Sequence, residues 1–254
     1  MSNRVTIDVQ PTPDAAMRAA AERLADGAVR AVDASGRFTI ALSGGATPRG
    51  LYTLLATPPY ATHVPWPAAR VFWSDERCVP PDDAASNYRL ACETLLKHVP
   101  VAPEHVHRVR GEDEPFAAAV LYEREIRTAL QTPHGPPTTK PGARFDVILL
   151  GLGDNGHTAS LFPYSPVLDE RERWAIAAEV DTTPPVRITL TAPVINAAAL
   201  VVFVVVGAAK APALRLVLEG PRDPVALPAQ LVDAIDGDVC WIIDAAAAAE
   251  LSGA

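Results

Sequence analysis

Short apolar runs alternate with amphipathic segments along most of this chain. The runs are typical of strands buried on both faces, and the segments between them have helical spacing. The pattern predicts strands at residues 37–42, 70–73, 106–109, 145–150, 174–180, 187–191, 200–206 and 239–243. It predicts helices at residues 13–32, 47–56, 86–98, 112–131 and 208–219, and a final alanine-rich helix after residue 243. This alternation indicates an α/β fold, a three-layer sandwich with a mainly parallel, Rossmann-like central sheet and helices on both faces.

Residues 132–144 are rich in proline, glycine and threonine, which is typical of a linker. The same alternation of strands and helices continues on both sides of this segment. We therefore interpret it as a surface loop and expect one domain over residues 1–254. A chain of 254 residues is long enough to bury a sizeable core.

Composition and charge exclude several function classes. The net charge of −8 argues against a nucleic acid or an anionic membrane as partner, because both require clustered Lys and Arg. The longest apolar run, residues 197–209, is too short to span a bilayer, and the N-terminus lacks the apolar core of a secretion signal. The three cysteines lie far apart and show no metal-ligand spacing, so we expect a cytoplasmic protein without a bound metal.

Candidate chemistry lies where four predicted strands end, because open parallel sheets bind ligands beyond the carboxyl ends of their strands. The first strand end continues as Ser43, Gly44, Gly45, Ala46 and Thr47. Small residues before a helix N-terminus let the backbone approach a phosphate, and the two hydroxyls add donors. A plain tight turn is the alternative.

The second strand end carries Asp75 and Arg77. Asp75 suits the binding of sugar hydroxyls, and Arg77 suits an anion or a developing oxyanion. A solvated turn is the alternative. The fourth strand end places Lys210 in the first turn of a helix, where a cation is unfavourable unless an anion lies nearby. Arg187, on an otherwise apolar strand, is a weaker candidate of the same kind.

The third strand end is the most informative, because residues 145–157 read FDVILLGLGDNGH. His157 stands where we expect the next helix to begin. The positive end of a helix dipole disfavours the charged imidazolium, and a neutral imidazole near pH 7 is what a general base requires. A histidine that caps or packs the helix is the alternative.

The three glycines of this segment also spell the dinucleotide fingerprint G-x-G-x-x-G. Three observations count against a dinucleotide-dependent oxidoreductase. The unit lies in mid-chain, Pro163 would end the following helix after little more than one turn, and a strand ending in Asp or Glu is missing at the required distance. The oxidoreductase is therefore the less favoured alternative.

Six segments, in order over most of the chain, resemble the 6-phosphogluconolactonases. They are ALSGGATPRGLY (41–52), FWSDERCVPPDDAASNYR (72–89), FDVILLGLGDNGHTASLFP (145–163), RITLT (187–191), GAAKA (207–211) and LPAQLV (227–232). The wider family includes glucosamine-6-phosphate deaminases, whose signature after the second strand differs from the one here. The resemblance implies hydrolysis of 6-phospho-D-glucono-1,5-lactone to 6-phospho-D-gluconate without cofactor or metal. For the oligomeric state we expect a monomer or a weak homodimer.

The resemblance also implies roles for individual residues. His157 would activate water for attack on the lactone carbonyl and then protonate the departing ring oxygen. Arg77 would act as an electrostatic clamp, and Asp75 would orient hydroxyls. The phosphate would be held by Ser43, Gly44, Gly45, Thr47 and Lys210, with Arg187 joining them.

One position departs from the family pattern, which places Asp directly before the Gly-His pair. Here that residue is Asn155, and the acid stands one residue earlier, at Asp154. Asn155 would orient His157 or the water through a hydrogen bond. The same substitution supports an alternative function, a sugar-phosphate binding protein that keeps the pocket without the chemistry.

Overall fold

The structure, a computed structural model, describes residues 4–132 and 135–252. The strands are β1 (Arg4–Gln10), β2 (Phe38–Leu42), β3 (Ala69–Trp73), β4 (Asp75–Arg77), β5 (Val147–Leu150), β6 (Ala175–Glu179), β7 (Val186–Leu190), β8 (Leu200–Val205) and β9 (Asp238–Asp244). The helices are α1 (Pro13–Ser35), α2 (Ala46–Leu55), α3 (Tyr60–His63), α4 (Asn87–Ala91), α5 (Pro115–Ala129), α6 (Ala192–Ala197) and α7 (Ala211–Glu219). A π-helical segment, Cys92–Leu96, extends α4.

Six strands form a parallel central sheet in the order β1-β9-β8-β5-β2-β3. The sheet separates two cores, and successive side chains of each inner strand enter them alternately. On β5, Val147 and Leu149 pack with α1 to α4, whereas Ile148 and Leu150 pack with α5, α6 and α7. The predicted α/β class with a parallel central sheet flanked by helices is confirmed. That residues 1–254 form one domain stays a prediction.

A second, antiparallel sheet has the order β4-β7-β6. The sequence predicts strands at 174–180 and 187–191 but gives no sign that they leave the central sheet, because an apolar strand looks the same in either. The polar residues 74–77 are expected to end the preceding strand, with a solvated turn as one alternative, whereas in the structure residues 75–77 form strand β4. This small sheet packs against the core formed by α5, α6 and α7.

Three sequence predictions are wrong. The helix expected at His157 is a turn followed by a single bridge between Thr158 and Leu161. The strand expected at 106–109 is reduced to one bridge between Val106 and Val71. The alanine-rich segment from residue 245 forms turns, with Ala247 and Ala248 buried in the core, because so short a helix is marginal in itself.

Other differences concern single elements. β1 is absent from the sequence prediction. The helix expected at 86–98 is α4 plus its π-helical extension, and its predicted cap is confirmed, since the hydroxyl of Ser86 accepts the N–H of Arg89 over 3.1 Å. In the predicted loop 132–144, Pro133 and His134 lie outside the described residues, and the others form no helix or strand. No helix within the described ranges is long and apolar enough to cross a membrane.

The strand order creates a topological switch point between β2 and β5. Within the sheet, β3 lies on one side of β2, whereas β5 and β8 lie on the other side of β2. Parallel sheets bind ligands in the crevice at such a point. The carboxyl ends of β3, β2, β5 and β8 are therefore consecutive neighbours along one rim.

Candidate active site

The four strand ends singled out by the sequence lie side by side on this rim. Ala41 of β2 pairs with Ile148 of β5, so the segments beginning at Ser43 and Gly151 start next to each other. Ser74, at the end of β3, donates from its N–H (2.7 Å) and its hydroxyl (3.1 Å) to the carbonyl of Leu42. The arrangement brings the predicted phosphate loop and the predicted base together.

His157 lies half-buried in the turn after β5. Its Nδ1 is 2.6 Å from Oδ1 of Asn155, and its backbone N–H donates to the same oxygen over 3.2 Å. A carbonyl oxygen only accepts hydrogen bonds, so Nδ1 holds the proton and Nε2 keeps its lone pair. Phe162 stacks on the ring, with centroids 4.1 Å apart. The ring also lies against Gly153, where a Cβ would overlap it.

Burial lowers the pKa of His157 below its ordinary value of 6.5. The carboxylate of Asp75 opposes this shift, whereas the positive charges of Lys210 and Arg187 add to it. The predicted direction of the shift is confirmed, but the predicted cause is wrong, because no helix begins at His157 in the described chain. The imidazole is neutral near pH 7 through desolvation rather than through a helix dipole.

Asp75 is buried at the start of β4 and is held by two neutral donors. The hydroxyl of Ser160 donates to Oδ2 over 2.7 Å. The amide of Asn87 donates to the Asp75 carbonyl over 2.9 Å and to Oδ1 over 3.3 Å. A carboxylate has about four lone-pair sites, so these bonds leave capacity for a ligand hydroxyl.

Glu76 connects β4 with the start of α4. Its buried carboxylate accepts the backbone N–H groups of Arg77, Asn87 and Tyr88 over 2.7 Å each, and the hydroxyl of Ser86 over 3.2 Å. Burial raises the pKa of Glu76, and the three N–H donors act against that rise. This network fixes Asn87 and therefore Asp75 beside the rim.

Arg77 and Arg187 lie directly opposite each other in the ladder between β4 and β7. Arg187 is buried and donates to the carbonyl of Pro184 (3.1 Å) and the hydroxyl of Thr182 (2.9 Å), and Arg77 donates to the carbonyl of Ala85. Burial lowers the pKa of Arg187, and the positive charge of Arg77 lowers it further. Like charges opposite each other destabilise a sheet, so the pair favours an anion between or beside them.

The loop between β2 and α2 is shaped by two side chains. The hydroxyl of Tyr52 accepts the N–H of Ser43 over 2.9 Å and donates to its carbonyl over 2.6 Å. Asn87 packs so closely on Gly44 that a Cβ there would overlap its amide. Gly45 has φ +109°, a conformation that glycine alone adopts readily.

A pocket of about 240 Å³ opens at the N-terminus of α2. Gly45, Arg49, Arg77 and Asn87 line it. Thr47 lies in the first turn of α2, where backbone N–H groups have no partner within the helix. Free N–H groups beside two guanidiniums suit an anion.

Lys210 ends the short turn before α7, and its Nζ lies 2.5 Å from Oδ1 of Asp154. The pair joins the turns that follow β5 and β8. Its side chains are 30% and 78% exposed, so the attraction is screened by water and is weak. Lys210 therefore remains available to a stronger anion.

Sequence reasoning missed five residues that shape this site, namely Arg49, Tyr52, Asn87, Ser160 and Phe162. All five fall within the ALSGGATPRGLY, SNYR and GHTASLFP segments, so the family pattern contained the signal without the roles. Among the described residues, no group of three or more His, Cys, Asp and Glu is arranged to hold a metal ion.

Comparison with known proteins bears on this geometry. The family model described as glucosamine-6-phosphate isomerases/6-phosphogluconolactonase matches residues 11–241. The chain belongs to this family. A 6-phosphogluconolactonase from Nostoc sp. is 40% identical over 248 residues, which are 97% of this chain and 98% of that relative. The predicted family resemblance is confirmed.

Solved structures agree with this assignment. A crystal structure of devB protein is 33% identical, with a TM-score of 0.85 over 98% of this chain and 100% of that chain. The structure of a 6-phosphogluconolactonase from Trypanosoma cruzi is 30% identical, with a TM-score of 0.84 over 99% of this chain and 98% of that chain. The whole arrangement of strands described above is therefore similar to that of these proteins.

Proposed function

We propose that this protein is a 6-phosphogluconolactonase, which hydrolyses 6-phospho-D-glucono-1,5-lactone to 6-phospho-D-gluconate in the oxidative pentose phosphate pathway. The observation that carries the proposal is the imidazole of His157, held at Nδ1 by Asn155 on a rim that also holds Arg77, Arg187 and Lys210. Family membership and the 40% identity to a named 6-phosphogluconolactonase support the substrate. A neutral base among cations suits an anionic ester that water attacks.

The substrate phosphate binds at the N-terminus of α2 in this proposal. Gly44, Gly45 and Thr47 offer backbone N–H groups and a hydroxyl, and Ser43 anchors the loop through Tyr52. Further charge comes from Arg187 and Lys210. A phosphate dianion relieves the repulsion between the opposed guanidiniums and attracts the lysine more strongly than an exposed aspartate does.

Hydrolysis then proceeds in two steps. Nε2 of His157 removes a proton from water as the water oxygen bonds to the lactone carbonyl carbon, and Arg77 stabilises the oxyanion that forms. The intermediate collapses, the bond between that carbon and the ring oxygen breaks, and the imidazolium gives its proton to the ring oxygen. The carboxylic acid product ionises and the imidazole is neutral again. Asp75 accepts hydrogen bonds from sugar hydroxyls, and Asn155 holds Nδ1–H throughout.

The two alternatives have less support. A binding protein without catalysis rests on Asn155, but the amide oxygen of Asn155 makes the Nδ1 contact that an aspartate would make. A dinucleotide-dependent oxidoreductase requires a long helix after Gly156, and the described residues there form a turn.

The test compares lactone hydrolysis by the wild type, His157→Gln and His63→Gln. His63 is exposed on α3 and serves as the matched control. We expect a loss of about 10²–10⁴-fold for His157→Gln, the range of a positioned acid–base group, and no loss for His63→Gln. Rates are measured above the uncatalysed opening of the lactone at slightly acidic pH, where that background is slow.

Equal rates for the wild type and His157→Gln would refute the general base. A wild-type protein that binds 6-phosphogluconate without hydrolysing the lactone would favour the binding protein. Saturable binding of a nicotinamide dinucleotide at millimolar concentration would favour the oxidoreductase.

A further inference from the structure

β1 leaves one edge of the central sheet open. It pairs with β9 and with no other strand in the described ranges. Two other edge strands, β3 and β6, have hydrogen-bond partners outside their sheets. On the opposite edge, the N–H of His107 donates to the carbonyl of Val71 in β3 over 2.8 Å. In the second sheet, the carboxylate of Glu123 accepts the N–H groups of Trp174 and Ala175 where β6 begins. Among the residues that the structure describes, the outer edge of β1 has no such partner and so differs from these two.

The open edge presents backbone donors and acceptors at alternate residues. The carbonyl of Gln10 accepts the N–H of Ala245, which directly follows β9, so Gln10 faces β9. Because backbone groups alternate in direction along a strand, those of Val5, Ile7 and Val9 point away from β9. These three residues can pair with another strand.

The side chains of the same three residues form an uncovered apolar strip. Val5 is 56% exposed, Ile7 is 49% exposed and Val9 is 44% exposed. Ile7 lies beside Trp241 of β9, which is buried. Open edges are usually protected against pairing by lysine, proline or repelling charge, and the sequence RVTIDVQ has no lysine or proline.

The charges of β1 are complementary to those of a second copy of the same strand. Arg4 and Asp8 have opposite signs and lie two residues on either side of Thr6. In an antiparallel pair of β1 strands centred on Thr6, Arg4 lies opposite Asp8 of the partner subunit, and the partner's Arg4 lies opposite Asp8. Val5 lies opposite the partner's Ile7 in the same register. The edge is complementary in charge to itself.

We propose that β1 pairs antiparallel with β1 of a second copy of this chain, in the register centred on Thr6. This register agrees with the backbone directions. Val5 and Ile7 both point outward, so each exchanges two hydrogen bonds with its opposite residue. Arg4 and Asp8 fall at a pair without hydrogen bonds, where side chains approach more closely, and the two apolar strips become continuous.

The expected dimer is weak, because one strand per subunit buries less area than a stable dimer requires. β1 lies three positions from β5 in the sheet, so the pairing is separate from the candidate active site and from its proposed chemistry.

Sedimentation equilibrium over about 1 μM to 1 mM, the range of weak association, tests the proposal on the full chain. We expect the mass to rise from 26.9 kDa toward twice that value. Arg4→Asp places like charges opposite each other and should weaken the dimer at least about tenfold. The double variant Arg4→Asp with Asp8→Arg restores the complementary pairs and should return the dissociation constant to near the wild-type value. Arg124→Asp, the same charge change at an exposed position of α5, is the control.

Amide hydrogen exchange supplies a second readout. The N–H groups of Val5 and Ile7 should become protected as the protein concentration rises, and lactone hydrolysis should be unchanged in Arg4→Asp. A monomer at every concentration would overturn the proposal. A dimer that Arg4→Asp leaves intact would also overturn it, as would a double variant whose dissociation constant stays weaker than that of the wild type. Either result would contradict the register centred on Thr6.

Discussion

Replacing Asn155 by aspartate puts a negative charge where an amide oxygen now lies 2.6 Å from Nδ1 of His157. With charge centres about 4 Å apart, the attraction is about 1 kcal/mol in bulk water and about 4 kcal/mol at an effective dielectric constant of 20. Asn155 is exposed, so a value near the lower limit applies. About 1.4 kcal/mol corresponds to one pKa unit. We therefore expect Asn155→Asp to raise the pKa of His157 by about one unit.

The assay is the pH dependence of kcat/KM for lactone hydrolysis. The base acts when neutral, so a higher pKa removes activity on the acid side, and the acid limb should move up by about one pH unit. Asn155→Ala is the control, because it removes the acceptor of the Nδ1 hydrogen bond without adding charge. It should lower kcat/KM without moving the acid limb to higher pH. An acid limb that stays in place in Asn155→Asp, in a folded and active variant, would refute the assigned contact.

Three further substitutions test other parts of the site. Ser160→Ala removes the hydroxyl that donates to the buried carboxylate of Asp75. A lost hydrogen bond to a charged group costs about 1.5–3 kcal/mol, so kcat/KM should fall about tenfold. An unchanged kcat/KM would contradict this role of Ser160. Lys210→Ala should raise KM for the phosphorylated lactone far more than for unphosphorylated gluconolactone, and equal effects on both would exclude phosphate binding. Gly153→Ala places a methyl group where the His157 ring lies, and kcat should fall at least about tenfold because the acid–base group is displaced. The control Gly151→Ala meets nothing within 4 Å and should leave kcat unchanged. Equal kcat values for the two variants would refute the packing of His157 on Gly153.

The rim of the sheet was predictable because the sequence pattern of its strands is distinctive. β2, β5 and β8 are buried on both faces, so they appear as apolar runs, and each run ends at glycine or at a hydroxyl residue. Because the carboxyl ends of parallel strands share one edge, the residues that follow them could be expected to meet. The order of the strands, which brings β2 beside β5, depends on long-range pairing that local patterns do not contain.

The sequence did not predict the elements whose structure depends on their surroundings. β1 alternates apolar and polar residues, but its apolar face is exposed at a sheet edge, so it lacks the run of buried residues that marks the inner strands. The turn at His157 is held by the N–H of Gly153, which donates to the carbonyl of His157 over 2.8 Å, and by Gly156 at φ +78°. This turn is stabilised over a helix by contacts that exist only in the folded protein, so a local sequence pattern does not predict it.

The supporting residues of the site show the same limit. Asn87 and Ser160 reach Asp75 from segments far apart in sequence, and Tyr52 holds Ser43 from the next helix. Their residue types are ordinary for capping and packing, so residue type and spacing do not reveal their roles, although the family segments contain them. Arg77, Arg187, Lys210 and His157 were found because each lies on a predicted strand or closely follows one, whereas Arg49, which lies inside a helix, was missed.

The most direct test of the account is an NMR titration of the His157 imidazole, compared with the acid limb of kcat/KM for the same protein. We predict a pKa below the ordinary value of 6.5, proton occupancy at Nδ1 in the neutral form, and a kinetic limb at the same pH. A pKa of His157 at or above 6.5, or a kinetic limb that follows a different group, would contradict the claim that a half-buried neutral imidazole activates the water.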